Sequence, residues 1–211
     1  VLITAGPTYE KIDPVRFIGN HSSGKMGLAL AHELAGEGAD VNLIAGPGQY
    51  SIASEKISIE RVSSADEMYE KVNAQYPTTD IAIFAAAVAD YRPASPALEK
   101  IKKSDESMTI DLVKNKDIAA EMGQLKKADQ FNVGFALETA NEEQHAQDKL
   151  KRKNFDLIVL NSLNDNGAGF SVDTNKITIF SVDQPARHFE LKSKQEVARD
   201  IVNCIHEKIH S

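Results

Sequence analysis

Short runs rich in β-branched residues alternate with helix-patterned segments along most of the chain, and this rhythm restricts the fold more than any other feature. Parallel strands need crossover segments, usually helices, to connect them, so the alternation predicts an α/β, Rossmann-like fold: a mostly parallel sheet flanked by helices. Strands are expected at residues 1–5, 40–45, 57–62, 81–87, 131–137 and 156–160. Several of these are continuous apolar runs, as expected of strands buried on both faces. Helices are expected at 25–36, closed by Gly36 and Gly38, at 65–75 behind a Ser63-Ser64 cap, at 117–126 and at 142–153. Late in the chain, residues 176–182 and 188–191 alternate around Asp183-Gln184-Pro185, which reads as a β-hairpin, and a last helix starts at Ser193. Residues 91–105, with their prolines and lysines, read as a mobile loop leading into a short strand-like run at 108–113. No repeat, low-complexity tract or linker divides the sequence, so residues 1–211 are expected to form one domain.

Composition removes several classes of function. The longest apolar stretch, 81–89, falls well short of the ~20 residues a membrane helix needs, so no membrane partner is expected. A net charge of −7 argues against bulk nucleic-acid binding but is compatible with a small anion wherever lysines gather. The first residues read as a strand rather than as a charged leader, and a cytoplasmic protein is the expectation. The single cysteine, Cys204, excludes an internal disulfide and falls with Val197, Ile201 and Ile205 on a buried helical stripe. Neither it nor the histidines show metal-ligand spacing, so no structural zinc is expected and no side chain is assigned as a metal ligand.

The chemistry-bearing segment is Gly19-Asn20-His21-Ser22-Ser23-Gly24-Lys25-Met26-Gly27. It nearly matches a P-loop, but Met26 stands where a hydroxyl would meet magnesium, and the loop does not leave the first strand directly. Small polar residues before a helix still offer unpaired N–H groups to a phosphate; Ser22 or Ser23 acting simply as a helix cap is the plainer reading. Neither Gly6-Pro7-Thr8 nor Gly46-Pro47-Gly48 supplies the glycine fingerprint of a dinucleotide site, which weighs against a nicotinamide oxidoreductase. The small residues 85–89 before Asp90 sit where open α/β sheets bind ligands. Lys149 and Lys153 share a helix face and could meet phosphates together, although a solvated face is the default for such lysines. His21 has no evident partner that would make it a base.

Several stretches together closely resemble phosphopantothenoylcysteine synthetase: residues 1–8, 13–27, Ala86-Ala-Val-Ala-Asp-Tyr-Arg92, Glu99-Lys-Ile-Lys-Lys103, Lys114-Asn-Lys-Asp-Ile118 and Gly134-Phe-Ala-Leu-Glu-Thr139. The resemblance spans nearly the whole chain and is greatest to the synthetase half of the bacterial bifunctional synthetase/decarboxylase. It implies CTP-dependent ligation of 4'-phosphopantothenate to L-cysteine in coenzyme A biosynthesis, through an acyl-cytidylate, with Mg2+ as cofactor. It assigns Asn20 and Lys100 as catalytic, and Arg16, His21, Ala86 and Ala87 to the acid substrate. Asp90, Lys100, Lys116, Asp117, Ile118, Ala119, Phe135, Lys149 and Lys153 fall to the nucleotide. Lys116 departs from the family's Lys-Asn-Pro-Asp-Ile motif, standing in place of the proline. The resemblance further implies a homodimer that uses a hairpin at about 170–192, and fusion to or association with a decarboxylase domain. A non-catalytic CTP sensor would share the binding residues without releasing pyrophosphate.

Overall fold

The computed structural model describes residues 1–102, 107–138, 140–162, 173–182 and 184–210. Strand β1 (Leu2–Ala5) is followed by a small hairpin, β2 (Tyr9–Lys11) and β3 (Phe17–Gly19), and by helix α1 (Lys25–Gly36). Then come β4 (Val41–Ala45), β5 (Ile57–Arg61), α2 (Ala65–Gln75) and β6 (Ile81–Phe84). A second hairpin, β7 (Tyr91–Pro93) and β8 (Leu112–Lys114), precedes α3 (Ile118–Leu125), β9 (Phe131–Glu138), α4 (Glu142–Arg152) and β10 (Leu157–Ser162). Short strands β11 (Thr174–Asn175), β12 (Ile177–Ser181), β13 (Arg187–His188) and β14 (Lys192–Ser193) lead into α5 (Lys194–Ile209).

The central sheet has eight strands in the order β13-β12-β10-β9-β6-β1-β4-β5. Strands β10 through β5 in that order run parallel, while β12 and β13 join antiparallel at one edge. Each parallel strand sends alternate side chains to opposite faces. Ile3, Leu43, Ile83 and Val159 pack with α1 and α5 on one face. Leu2, Ile44, Phe84 and Ile158 pack with α2, α3 and α4 on the other. Burial on both faces explains why these strands read as apolar runs rather than as alternating patterns. The chain builds outward from β1 to β4 and β5, then returns to place β6 on the other side of β1. That reversal opens a crevice between the carboxyl ends of β1 and β6, the place where open α/β sheets bind ligands.

Local signals set the helix ends. Ser64 caps α2 by accepting from Glu67 N, while the Glu67 carboxylate accepts from Ser63 N. Ser193 and Glu196 form a reciprocal capping box at the start of α5. At α1 the cap position is held by Gly24 with φ 71°, a left-handed conformation that a Cβ disfavours; the cap residue itself has no side chain, and Ser22 Oγ accepts from Gly24 N (3.4 Å). Gly27 lets α1 lie directly on β1, since a Cβ there would come within 2.6 Å of the Ala5 methyl.

Two expectations are corrected. The strand expected at 81–87 ends at Phe84, because the next residues turn toward the loop after β1, with Ala85 N donating to Thr4 O and Ala87 N to Gly6 O. The segment 91–105, expected as a mobile loop, begins as strand β7, which pairs with β8 beyond it; residues 103–105 lie outside the described residues. The late hairpin forms as expected, as β12 and β13, which extend the edge of the main sheet beside β10; Asp183 and residues 170–172 lie outside the described residues. Cys204 is buried on α5, as its spacing indicates.

Candidate functional site

A cavity of about 710 Å³ occupies the crevice at the β1/β6 reversal. Its walls include the loop from Asn20 to Gly24, the start of α1, the segment that leaves β6, the start of α3, the end of β9, and the α4 lysines. The sequence scatters these pieces, and the parallel sheet brings them to one edge because every β-to-α turn emerges at the same end.

The segment after β6 is threaded tightly. Ala86 N donates to Thr4 Oγ1 (3.3 Å), Ala89 N to the buried Thr8 Oγ1 (3.0 Å), and Asn115 Nδ2 to Ala89 O (2.7 Å). With the N–H groups of Ala86 and Ala87 already donating within the fold, these residues present methyl surface and carbonyl oxygens to the cavity. Asn20 Nδ2 donates to Ala87 O (3.3 Å) and Val88 O (3.0 Å), tying the glycine-rich loop to the exit of β6. His21 lines the same wall. The first turn of α1, behind its glycine cap, brings backbone N–H groups and the positive end of a helix dipole to this wall.

On the opposite side, Asp117 caps α3 by accepting from Ala120 N and accepts from Lys153 Nζ at 2.8 Å. Burial alone would raise the Asp117 carboxyl, but the lysine outweighs it and holds the group below the usual carboxylate range. Burial, followed by repulsion from Lys153, pushes Lys149 below the ordinary lysine range. Two cations share this corner, and an anionic ligand would relieve both the desolvation and the repulsion. Ile118, Ala119 and Phe135 complete the wall, and the Lys116 ammonium lies 3.9 Å over the Tyr69 ring, so the residue in place of the family's proline packs back toward α2.

Most of the expected site residues therefore converge, but Arg16 and Lys100 do not line the cavity. Arg16 is engaged with Asp13, and Lys100 is exposed. Lys25 pairs with Asp173 at 2.5 Å, a bond between α1 and the run into β11. Residues that sequence reasoning did not select also face the cavity: Asn115, Asn161, Asn175 and Lys194. Asn161 interrupts an apolar run on the α1/α5 side of β10, and its Oδ1, like that of Asn175, is buried without a hydrogen bond among the described residues. A polar residue at the end of an apolar strand was the available signal. Burial, then the nearby charge of Lys25, pushes Lys194 below its ordinary range.

Residues 1–209 match the family profile described as DNA/pantothenate metabolism flavoprotein, C-terminal domain. The chain belongs to that family. Within this family of flavoprotein C-terminal domains, a protein from an unknown prokaryotic organism named cysteine/cysteine sulfinic acid decarboxylase is 51% identical over 210 residues, covering 100% of this chain and 58% of its own length. The coenzyme A biosynthesis bifunctional protein CoaBC of Haemophilus influenzae is 46% identical, covering 99% of this chain and 51% of its own. The chain thus spans about half the length of the curated relatives it matches. A crystal structure of the C-terminal domain of a CoaBC protein superposes with a TM-score of 0.82 at 40% identity, covering 99% of this chain and 96% of that one.

Proposed function

We propose that this domain joins 4'-phosphopantothenate to L-cysteine at the expense of CTP, by way of an acyl-cytidylate. One observation carries the reading: the cavity at the β1/β6 reversal has the N-terminus of α1, capped by a glycine, on one side and the Lys149–Lys153 pair on the other. Such a site suits a ligand with separated anionic groups, as a nucleoside triphosphate and a phosphorylated acid together provide. Membership of the family, and relatives named as coenzyme A biosynthesis proteins, support the reading at the level of the pathway.

A carboxylate is a poor acyl group because its displacement must expel an oxide. In the first step a carboxylate oxygen of the acid bonds to the α-phosphorus of CTP as the bond to pyrophosphate breaks. In the second, the cysteine amine bonds to the acyl carbon and loses a proton, and CMP leaves. Neither step needs a protein nucleophile. Lys149 and Lys153 hold phosphate charge, while the N-terminal turn of α1 and Asn20 hold the acid. Exchange of Asn20 from its carbonyl partners to an oxyanion brings a donor to the acyl centre.

Among the described residues no group of three or more His, Cys, Asp or Glu gathers to hold a metal. That fits Mg2+, which is commonly held by substrate phosphates with one or two carboxylates, and exposed Asp90 at the cavity is the carboxylate placed to help. Bound there, the ion would neutralise triphosphate charge.

The reading includes a cytoplasmic homodimer fused to or associated with a decarboxylase. No helix among the described residues is long and apolar enough to cross a membrane. Exposed Val15, Phe17, Tyr91, Leu112 and Val113 lie on the two early hairpins, which touch through β2 and β7. Sedimentation of the wild type and a Phe17→Asp variant tests pairing.

The deciding assay mixes the protein with CTP, Mg2+ and phosphopantothenate, and follows pyrophosphate and CMP with and without cysteine. Pyrophosphate without cysteine and amide product with it are expected; absence of both products removes the synthetase reading. CTP binding without pyrophosphate release would identify a sensor, and ATP in place of CTP tests nucleotide choice.

A further inference from the structure

Asp13 lies in the turn between β2 and β3, and its carboxylate is wholly shielded from solvent. Oδ1 accepts from Val15 N and Arg16 N at 2.8 Å each, which is what the turn itself requires. Oδ2 does something else. It accepts from Arg16 Nε (2.9 Å) and Nη2 (2.5 Å), and from Ile101 N (3.1 Å), a residue far along the chain. Arg16 Nη2 also donates to Ile101 O (2.9 Å), and Ala97 N donates to Ile12 O (2.9 Å). The segment between these anchors, Leu98-Glu99-Lys100, is exposed, with Leu98 at 95%. It is therefore a short bight pinned at both ends to the β2–β3 turn.

We propose that Asp13 is a positioning residue which, with Arg16, fixes the bight that carries Lys100; the functional half of this inference rests on the CTP reading above. Three physical points support it. A pinned bight restricts the backbone beneath an exposed lysine whose side chain has many rotamers, so the ammonium samples a smaller volume. A buried carboxylate that also receives a guanidinium fork holds its geometry better than an exposed ion pair. The Arg16 hydrogen bonds, ahead of all other influences, hold the Asp13 carboxyl well below the usual carboxylate range, so the strap stays charged at any working pH. Arg16 then serves the site through Ile101 rather than by touching the acid substrate.

Asp13→Asn separates the strap from the turn. The amide oxygen can keep accepting from Val15 N and Arg16 N, while the amide nitrogen replaces Oδ2 and faces the donors of Arg16 and Ile101. Loss of hydrogen bonds to a charged group predicts roughly tenfold faster trypsin cleavage at Lys100 and Lys102, relative to other sites in the same digest and so beyond any general fall in stability. It also predicts a CTP KM raised roughly tenfold, with a smaller effect on kcat. In a double-mutant cycle, Asp13→Asn should add nothing to Lys100→Ala, since both remove the same placed ammonium. Arg16→Lys, which keeps the charge but loses the fork, should accelerate the same cleavages and serves if Asp13→Asn does not fold. Unchanged relative cleavage at Lys100 and Lys102, or effects that multiply in the cycle, would overturn the proposal. If even the unaltered protein releases no pyrophosphate from CTP, the ligase reading fails while the cleavage ratio still decides the strap.

Discussion

Replacing Gly123 in α3 with alanine tests whether the nucleotide corner depends on how closely two helices meet. Gly123 is buried, and an added Cβ would overlap the backbone oxygen of Lys153 and lie 2.8 Å from its carbonyl carbon and 3.4 Å from the Asn154 Cβ. The obstacle is backbone at the end of α4, where Lys153 N and Asn154 N already donate into the last turn and Asn154 has φ 51°. It cannot swing aside as a side chain would. Alanine gains about 1 kcal/mol in helix propensity, whereas overpacking costs about 1–3 kcal/mol, toward the upper end when backbone must move. The net effect is a loss of about 1–2 kcal/mol, or about 3–6 °C in melting temperature for a domain of this size. The nucleotide corner is disturbed as well, because the retreat of α3 draws Asp117 away from Lys153, now at 2.8 Å, and breaks the Asn154 Nδ2 bond to Gly123 O at 2.9 Å. Scanning calorimetry and CTP titration by isothermal calorimetry measure the two effects, with CTP affinity expected to fall about tenfold. A melting temperature equal to or above that of wild type, with unchanged CTP affinity, would show that the helices are not packed this tightly.

The remaining predictions concern charge and hydrogen bonding. Because Lys149 ionises below the ordinary lysine range while phosphate favours its charged form, CTP binding should take up protons and weaken as pH rises through that depressed value; Lys149→Arg should flatten this alkaline limb. Asp13 has a folded-state pKa below its unfolded value, so the stability it contributes is present above about pH 4 and is lost as pH falls. The urea midpoint of Asp13→Asn should therefore drop less on acidification than that of wild type. Asn20→Asp sets a carboxylate against the carbonyls of Ala87 and Val88 and removes a donor, so cysteine-dependent amide formation should slow more than pyrophosphate release; equal slowing of both steps in single-turnover assays would refute that division. Thr8→Val, which deletes the buried acceptor of Ala89 N, should cost about 1–3 kcal/mol in chemical denaturation.

Much of the architecture was legible in the chain because burial on two faces writes itself into apolar runs such as Leu157-Ile-Val-Leu160, and capping writes itself into Ser64 and Ser193. The short hairpin strands β2 and β3 left no comparable trace: Tyr9 and Phe17 stack at 3.8 Å, but three-residue strands are too brief for periodicity. The site divides along the same line. Residue types and order nominated the loop around Asn20 and the Lys149/Lys153 pair, since helix dipoles and helical spacing are local properties, while Asp117 came in through the family resemblance. Only the tertiary structure decided that Asn161, Asn175 and Lys194 face the cavity and that Arg16 is held by Asp13 beside Ile101, because these depend on approach between segments distant in the chain. Sequence determines which faces of each element must be buried; the order of strands around β1 determines which of the remaining polar groups meet.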